Sequence, residues 1–272
     1  MRRTVLFLLA LGLAGACAGA GAEERSIRLA STTSTEHSGL FGHLLPTFQA
    51  KTGIRVDVIA VGTGQAIRLA RKGDADVLLV HHRPSEEAFV RAGFGVRRYA
   101  VMYNDFIVAG PRLDPARVRG LRDAVEALRR IARAGAVFVS RGDDSGTHKR
   151  ERGLWRIARI DPTRANGKWY RETGSGMGAA LNTASALNAY VLSDRATWIA
   201  FRNKGPLRLL VQGDRRLLNQ YGVILVNPKR HPHVKARDGQ VFIDWLTSAT
   251  GQRAIARFRV AGQQLFFPNA KR

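Results

Sequence analysis

Cysteine is all but missing from this 272-residue chain, in which Cys17 stands alone. Disulfides, thiolate metal sites and cysteine nucleophiles are therefore excluded from any mature form that begins beyond it. Long apolar runs are missing too. The stretch from Val5 to Leu13 is too short for a bilayer core, which needs about 20 residues, and no second long apolar segment follows it. Acidic residues are scarce, 21 against 44 Lys and Arg, for a formal charge of +23. Such an excess suits a phosphate backbone. The doublets Arg97-Arg98, Arg129-Arg130 and Arg215-Arg216 are dispersed on mixed segments, however, and lack the interleaved aromatics that stack on bases. A solvated basic surface that helps collect anions accounts for them, and no nucleic-acid partner is expected. Enzyme signatures are absent as well: the sequence holds no G-x-S-x-G elbow, H-E-x-x-H pair or P-loop.

What is present begins with the basic Met1-Arg2-Arg3, the apolar Val5 to Leu13 and a run of small residues, the order of a secretory signal. Ala20-Gly21-Ala22 fits cleavage before Glu23. Ala14-Gly15-Ala16-Cys17 resembles a lipoprotein box but lacks the large aliphatic residue three places before the cysteine. Residues 1–22 are thus expected to be a signal peptide and the mature protein periplasmic, with a lipid anchor at Cys17 as the alternative.

The remaining length suits two domains with cores of their own. Ile27 to Ala30 reads as a strand. Leu40, Phe41, Leu44, Leu45 and Phe48 then recur at helical spacing up to the stop at Gly53. Ile54 to Val61 is a second strand, and the continuous apolar Val77 to Val80 a third, buried on both faces. Tyr103 to Ala109, Ala136 to Ser140, Tyr190 to Leu192 and Tyr221 to Val226 add further strands, with helices over 121–132, up to Trp155, and around 241–246 and 251–258. Strands alternating with helices predict an α/β fold of two lobes, each a mainly parallel sheet flanked by helices. Lobe I is assigned to 23–108 and 222–272 and lobe II to 109–221, joined by a hinge of two crossings near Tyr103–Ala109 and Gln220–Gly222.

In such sheets the ligand crevice lies beyond the carboxyl ends of the strands. Hydroxyl- and glycine-rich turns sit at such positions over Ser31 to Thr35, Gly62-Thr63-Gly64, Asp143 to Thr147 and Thr173 to Gly178. Each can present backbone N–H groups at the positive end of a helix, which suits an anion. Any one of them is equally an ordinary N-cap. Arg141, directly after a strand, can offer a guanidinium fork to an oxyanion or pair with Asp143 or Asp144. The loops are rich in donors and poor in acceptors, which favours a fully deprotonated dianion over hydrogen phosphate.

The order Leu29-Ala30-Ser31-Thr32-Thr33-Ser34-Thr35, Ser38-Gly39-Leu40, Val61 to Ala66, Asp76 to His81, Ser140 to Thr147, Glu172 to Gly178 and Asp194 to Thr197 resembles tungstate ABC transporter substrate-binding proteins. Their Thr-Thr-Thr-Ser signature has Ser31 in its first place here. The resemblance implies a type II periplasmic-binding-protein fold that closes on tungstate and hands it to a membrane permease. It carries contact with the anion to Thr32, Thr33, Ser34, Thr63, Arg141, Ser145, Gly146 and Thr147. Ser31, Gly176 and Met177 complete the candidate set. No cofactor, metal or chemical step is implied, and a monomer is expected.

Molybdate or phosphate binding within the same superfamily remains the alternative. The Arg141 to Thr147 stretch is also similar to phosphate-binding proteins, which carry an aspartate after the third strand where this chain has His81-His82. A hydrolase built on Asp143-Asp144 is the reading from another class. His81-His82 and His231-Pro-His233 lack zinc-site spacing and are expected to be surface histidines.

Overall fold

The structure, a computed structural model, describes residues 25–270; the expected signal peptide and Cys17 lie outside the described residues. Strand β1 (Ser26–Thr32) runs straight into the one-turn helix α1 (Thr33–His37), and α2 (Leu40–Thr52) follows. Next come β2 (Arg55–Val61), α3 (Thr63–Lys72), β3 (Val77–Val80), α4 (Arg83–Arg91) and the long β4 (Gly95–Pro111). The chain then alternates through α5 (Ala124–Arg133), β5 (Phe138–Ser140), α6 (Gly146–Ala158), β6 (Tyr170–Glu172), α7 (Met177–Ala186), β7 (Tyr190–Asp194), α8 (Arg195–Ala200) and β8 (Leu207–Val211). It returns through β9 (Leu218–Val226) to α9 (Ala236–Thr247), α10 (Ala249–Arg257) and the short β10 (Arg259–Val260), β11 (Gln263–Gln264) and β12 (Phe267–Pro268).

The strand order is β2-β1-β3-β9-β4-β7-β5-β6, with β8 and β12 also paired to β4. Pairs β1–β2, β1–β3, β5–β6 and β5–β7 are parallel, as βαβ crossovers require. The crossing strands β4 and β9 pair antiparallel. Along β4 the partner changes abruptly: residues up to Asp105 pair with β9, and those from Phe106 pair with β7 and β8. The second crossing lies just before Leu218, which is opposite Asp105. Both partner changes fall a few residues N-terminal to the boundaries expected from sequence.

Period-two alternation gives each sheet two apolar faces. In β3, Val77 and Leu79 join one core with Ile27, Leu29, Val223 and Leu225, while Leu78 and Val80 join another with Ala30, Ile224 and Val226. Beyond the crossings, Phe106, Val108 and Phe138 face one core and Ile107, Ala109 and Val139 the other. Each lobe is thus a three-layer sandwich with its own core. The strand expected over 103–109 is far longer because its N-terminal half, with exposed Val96 and Arg97, is held by long-range pairing to β9 rather than by its own pattern.

Candidate oxyanion-binding site

The first lobe brings two strand ends to the crevice. Ser31 is fully buried and its hydroxyl donates to the Leu79 carbonyl at 2.7 Å, tying β1 to β3 and away from the crevice. Thr32 caps α1: its Oγ1 accepts from the Thr35 N–H at 3.3 Å and lies 2.7 Å from Thr35 Oγ1. Thr33 and Ser34, half-buried, open onto a cavity. At the end of β2, α3 starts from Gly62 with no side-chain cap, so its first N–H groups have no side-chain acceptor. Thr63, its first residue, is fully buried and its Oγ1 has no hydrogen-bond partner.

The second lobe supplies the charge. Arg141, at the end of β5, is 4% exposed, and its Nε and Nη2 donate to Asp143 Oδ2 at 3.1 and 2.5 Å. The turn behind it needs glycine: Gly142 has φ +60, and a Cβ there would stand 2.9 Å from Glu172 Cβ. Ser145 caps α6 by accepting from the His148 N–H at 3.2 Å. Thr147 Oγ1 is buried without a partner, like Thr63 Oγ1. Helix α7 starts from Gly176, again with no side-chain cap, and Met177 follows.

Two adjoining cavities of about 280 Å³ each share Thr33, Arg141 and Gly176. Gly62, Gly64 and Asp143 line one, and Ser34, Met177 and Thr197 the other. The N-termini of α1, α3 and α7 therefore point their positive ends at one place beside a guanidinium. Burial works to raise the Asp143 pKa, but the Arg141 charge and hydrogen bonds from Ser145 and Arg141 together hold it below the usual carboxylate value. Ser31, Thr32 and Ser145 spend their hydroxyls on framework bonds and, like Thr63, Gly146 and Thr147, line neither cavity. Thr197, which does line one, was not singled out from sequence although its stretch carries the resemblance.

The PBP superfamily domain matches residues 18–250. The tungstate-binding protein TupA of Peptoclostridium acidaminophilum is 43% identical over 98% of this chain and 96% of its own length. The chain belongs to the TupA family. Among solved structures, the family's tungstate-binding TupA from Desulfovibrio alaskensis G20 is 44% identical, with a TM-score of 0.79 over 91% of this chain and 100% of its own. A tungstate ABC transporter structure from Geobacter sulfurreducens is 47% identical, with a TM-score of 0.78 over 86% of this chain and 99% of its own.

One residue of this TupA-family chain overturns the surface-histidine expectation. His81 is buried at 4% exposure, between the lobes. Asn219 donates through Nδ2 to Asn104 Oδ1 at 2.7 Å, which turns its Oδ1 toward His81 Nδ1 at 3.0 Å. Nδ1 must therefore carry the proton and Nε2 must accept, here from the Ser34 hydroxyl at 3.3 Å. Burial, with help from nearby Arg141, lowers the His81 pKa to about 4 and keeps the ring neutral. Gly146 of α6 meets the same ring from the other lobe: a Cβ there would stand 2.5 Å from His81 Cε1 and 3.1 Å from Thr63 Oγ1. The lobes are in contact, and the crevice is closed.

Proposed function

We propose that this chain captures a tetrahedral oxyanion, tungstate, between its lobes and delivers it to an ABC transporter permease without a chemical step. The observation that carries this reading is the pair of cavities walled from both lobes by Thr33, Arg141 and two uncapped helix starts, with a buried, unpartnered hydroxyl in each lobe, Thr63 Oγ1 and Thr147 Oγ1. Leaving a buried polar group unpaired costs about 1–3 kcal/mol, which an oxyanion recovers by accepting from it. The tungstate-binding function of the relatives supports the choice of anion. Direct donors are Thr33, Thr63, Thr147, Arg141 and the N–H groups opening α3 and α7, while Ser34, whose hydroxyl is given to His81 Nε2, lines the wall. Ser31, Thr32 and Ser145 hold those donors in place. The division into lobes follows the partner changes at 105/106 and before 218, and the protein acts as an exported monomer.

The cavity is less poor in acceptors than the sequence suggests, because Asp143 stands on its wall and His81 Nε2 lies one hydroxyl behind it. Asp143 is neutralised by Arg141, and His81 is occupied by Ser34, so neither is open to the proton of hydrogen phosphate in the closed form. The experiment is a thermal melt of the mature protein with tungstate, molybdate, sulfate and phosphate in turn. A ligand at about 100 times its Kd stabilises by about 2.7 kcal/mol. Tungstate and molybdate are expected to give that shift and phosphate far less; phosphate displacing bound tungstate at equal concentration would move the assignment to phosphate.

A further inference from the structure

A third cavity, about 560 Å³ and so twice the size of either oxyanion cavity, runs between the start of α4 and one face of α6. His82, Pro84 and Ser85 form its lobe I wall, and Lys149, Arg152 and Arg156 project from α6 opposite. Their spacing of three and four places keeps them on one helix face. From first to last they span about 10 Å along the axis. That is a row of cations longer than a single tetrahedral anion needs.

The charge of this groove is only partly compensated. Asp144, the one carboxylate on its wall, already pairs with Lys149. Arg216 at the far end is held by Asp214 and Asp123, both at 2.7 Å. Arg152 has no such partner: its Nη1 is buried and makes no hydrogen bond. The Nε2 of His148, also on the wall, makes no hydrogen bond but stands 3.7 Å from Glu172 Oε1. A buried guanidinium N–H among like charges is costly unless an anion joins it. Gly153 leaves the floor open beside Arg152, with no atom within 4 Å of where a Cβ would stand. Only Asp144 is common to this groove and the oxyanion cavities.

We propose that the groove between α4 and α6 is a second anion site that takes a linear, multiply charged oxyanion of the condensed-phosphate class. The row of cations matches successive charged groups, and the unpartnered Nη1 of Arg152 gives the chain a fixed point at its centre. Because both lobes build the walls, tripolyphosphate draws them together whether or not tungstate is bound.

Inorganic tripolyphosphate is the probe, titrated calorimetrically into tungstate-saturated full-length mature protein at constant ionic strength. One saturable site is expected. Arg152→Ala and Gly153→Glu should each weaken it by at least about tenfold while leaving tungstate affinity unchanged. Gly153→Glu improves the helix while placing a negative charge in the groove, so its loss of binding cannot come from unfolding. Failure of the tungstate reading is separable: in tungstate-free protein, Arg141→Ala should still bind tripolyphosphate. The proposal is overturned if tripolyphosphate displaces tungstate, if it binds both groove variants as it binds wild type, if no saturable binding occurs, or if monophosphate fills the groove equally well.

Discussion

Arg141 is held in two ways at once, since its fork is committed to Asp143 while its edge walls both oxyanion cavities. Removing it leaves Asp143 unpaired on the wall, where its charge repels a dianion. Arg141→Ala is therefore expected to weaken tungstate binding by roughly 2–5 kcal/mol, with Arg141→Lys recovering little, because an ammonium cannot reproduce the fork; titration calorimetry reads both. A near-wild-type alanine variant would make Arg141 only the partner of Asp143. His81 sets a pH dependence whose sign is fixed by its depressed pKa. In the unfolded chain it takes a proton near 6.5, while in the folded protein it resists protonation down to about 4. Its contribution is complete above pH 6.5 and lost as pH falls through 4, on the order of 2–3 kcal/mol. Glu86 and Glu151, raised by burial to about 7, act in the opposite sense over an overlapping window. The difference between wild type and His81→Asn isolates the histidine, and urea melts between pH 7 and 4 should show the steeper loss in wild type.

Helix starts, more than side chains, make the site. Two of them, at Gly62 and Gly176, lack side-chain caps, and a third, at Gly146, is pressed against the opposite lobe. Gly146 lies inside a helix of ordinary handedness, so alanine suits its backbone and its helix propensity. The clash of the added methyl is with His81 and Thr63 across the crevice. Gly146→Ala should thus leave the melting temperature of the ligand-free protein unchanged or higher while weakening tungstate binding by about tenfold or more, since only the closed form suffers. Gly64→Ala is the contrast. Its methyl meets the end of the exposed Asp144 side chain, which can swing away, and a small effect is expected.

Taken whole, the molecule is built to close as two rigid bodies. Its core clusters are almost wholly confined to one lobe or the other, with the small helix α8 touching both. Among the described residues, only β4 and the start of β9 carry the chain across. Both crossings are stiffened: Arg195 grips Asp105 through two bonds of 2.6 Å, and Asn219 reaches Asn104 at 2.7 Å. Rotation is then concentrated in few backbone torsions, as in a hinge. Small-angle scattering should give a larger radius of gyration for the ligand-free protein than for the tungstate-saturated one. Equal radii would mean that the lobes stay closed without ligand and that binding does not drive the motion.

Local pattern was enough to reveal β1, β2 and β3, the alternation of strands with helices, and the hydroxyl-rich turns at strand ends, because period, turn chemistry and apolar runs are written within a few neighbouring residues. That Arg141 and the Thr33-Ser34 and Gly176-Met177 turns stand at strand or helix ends was legible for the same reason, and they line the cavities. The role of His81 was not. A histidine after a strand looks like any surface histidine until Asn219, 138 residues away, fixes its tautomer and Gly146 from the other lobe covers it. Nor could local pattern separate Ser31, whose hydroxyl is spent on Leu79, from Thr33, which faces the cavity. The length of β4 was hidden too, since its N-terminal half, which carries exposed Val96 and Arg97, is held in a strand by pairing with β9. Residue chemistry and local periodicity determined what kinds of group this protein can bring to an anion; which of them face it, and which are consumed holding the others, was decided by contacts distant in the chain, where burial selects among donors that are equivalent in sequence.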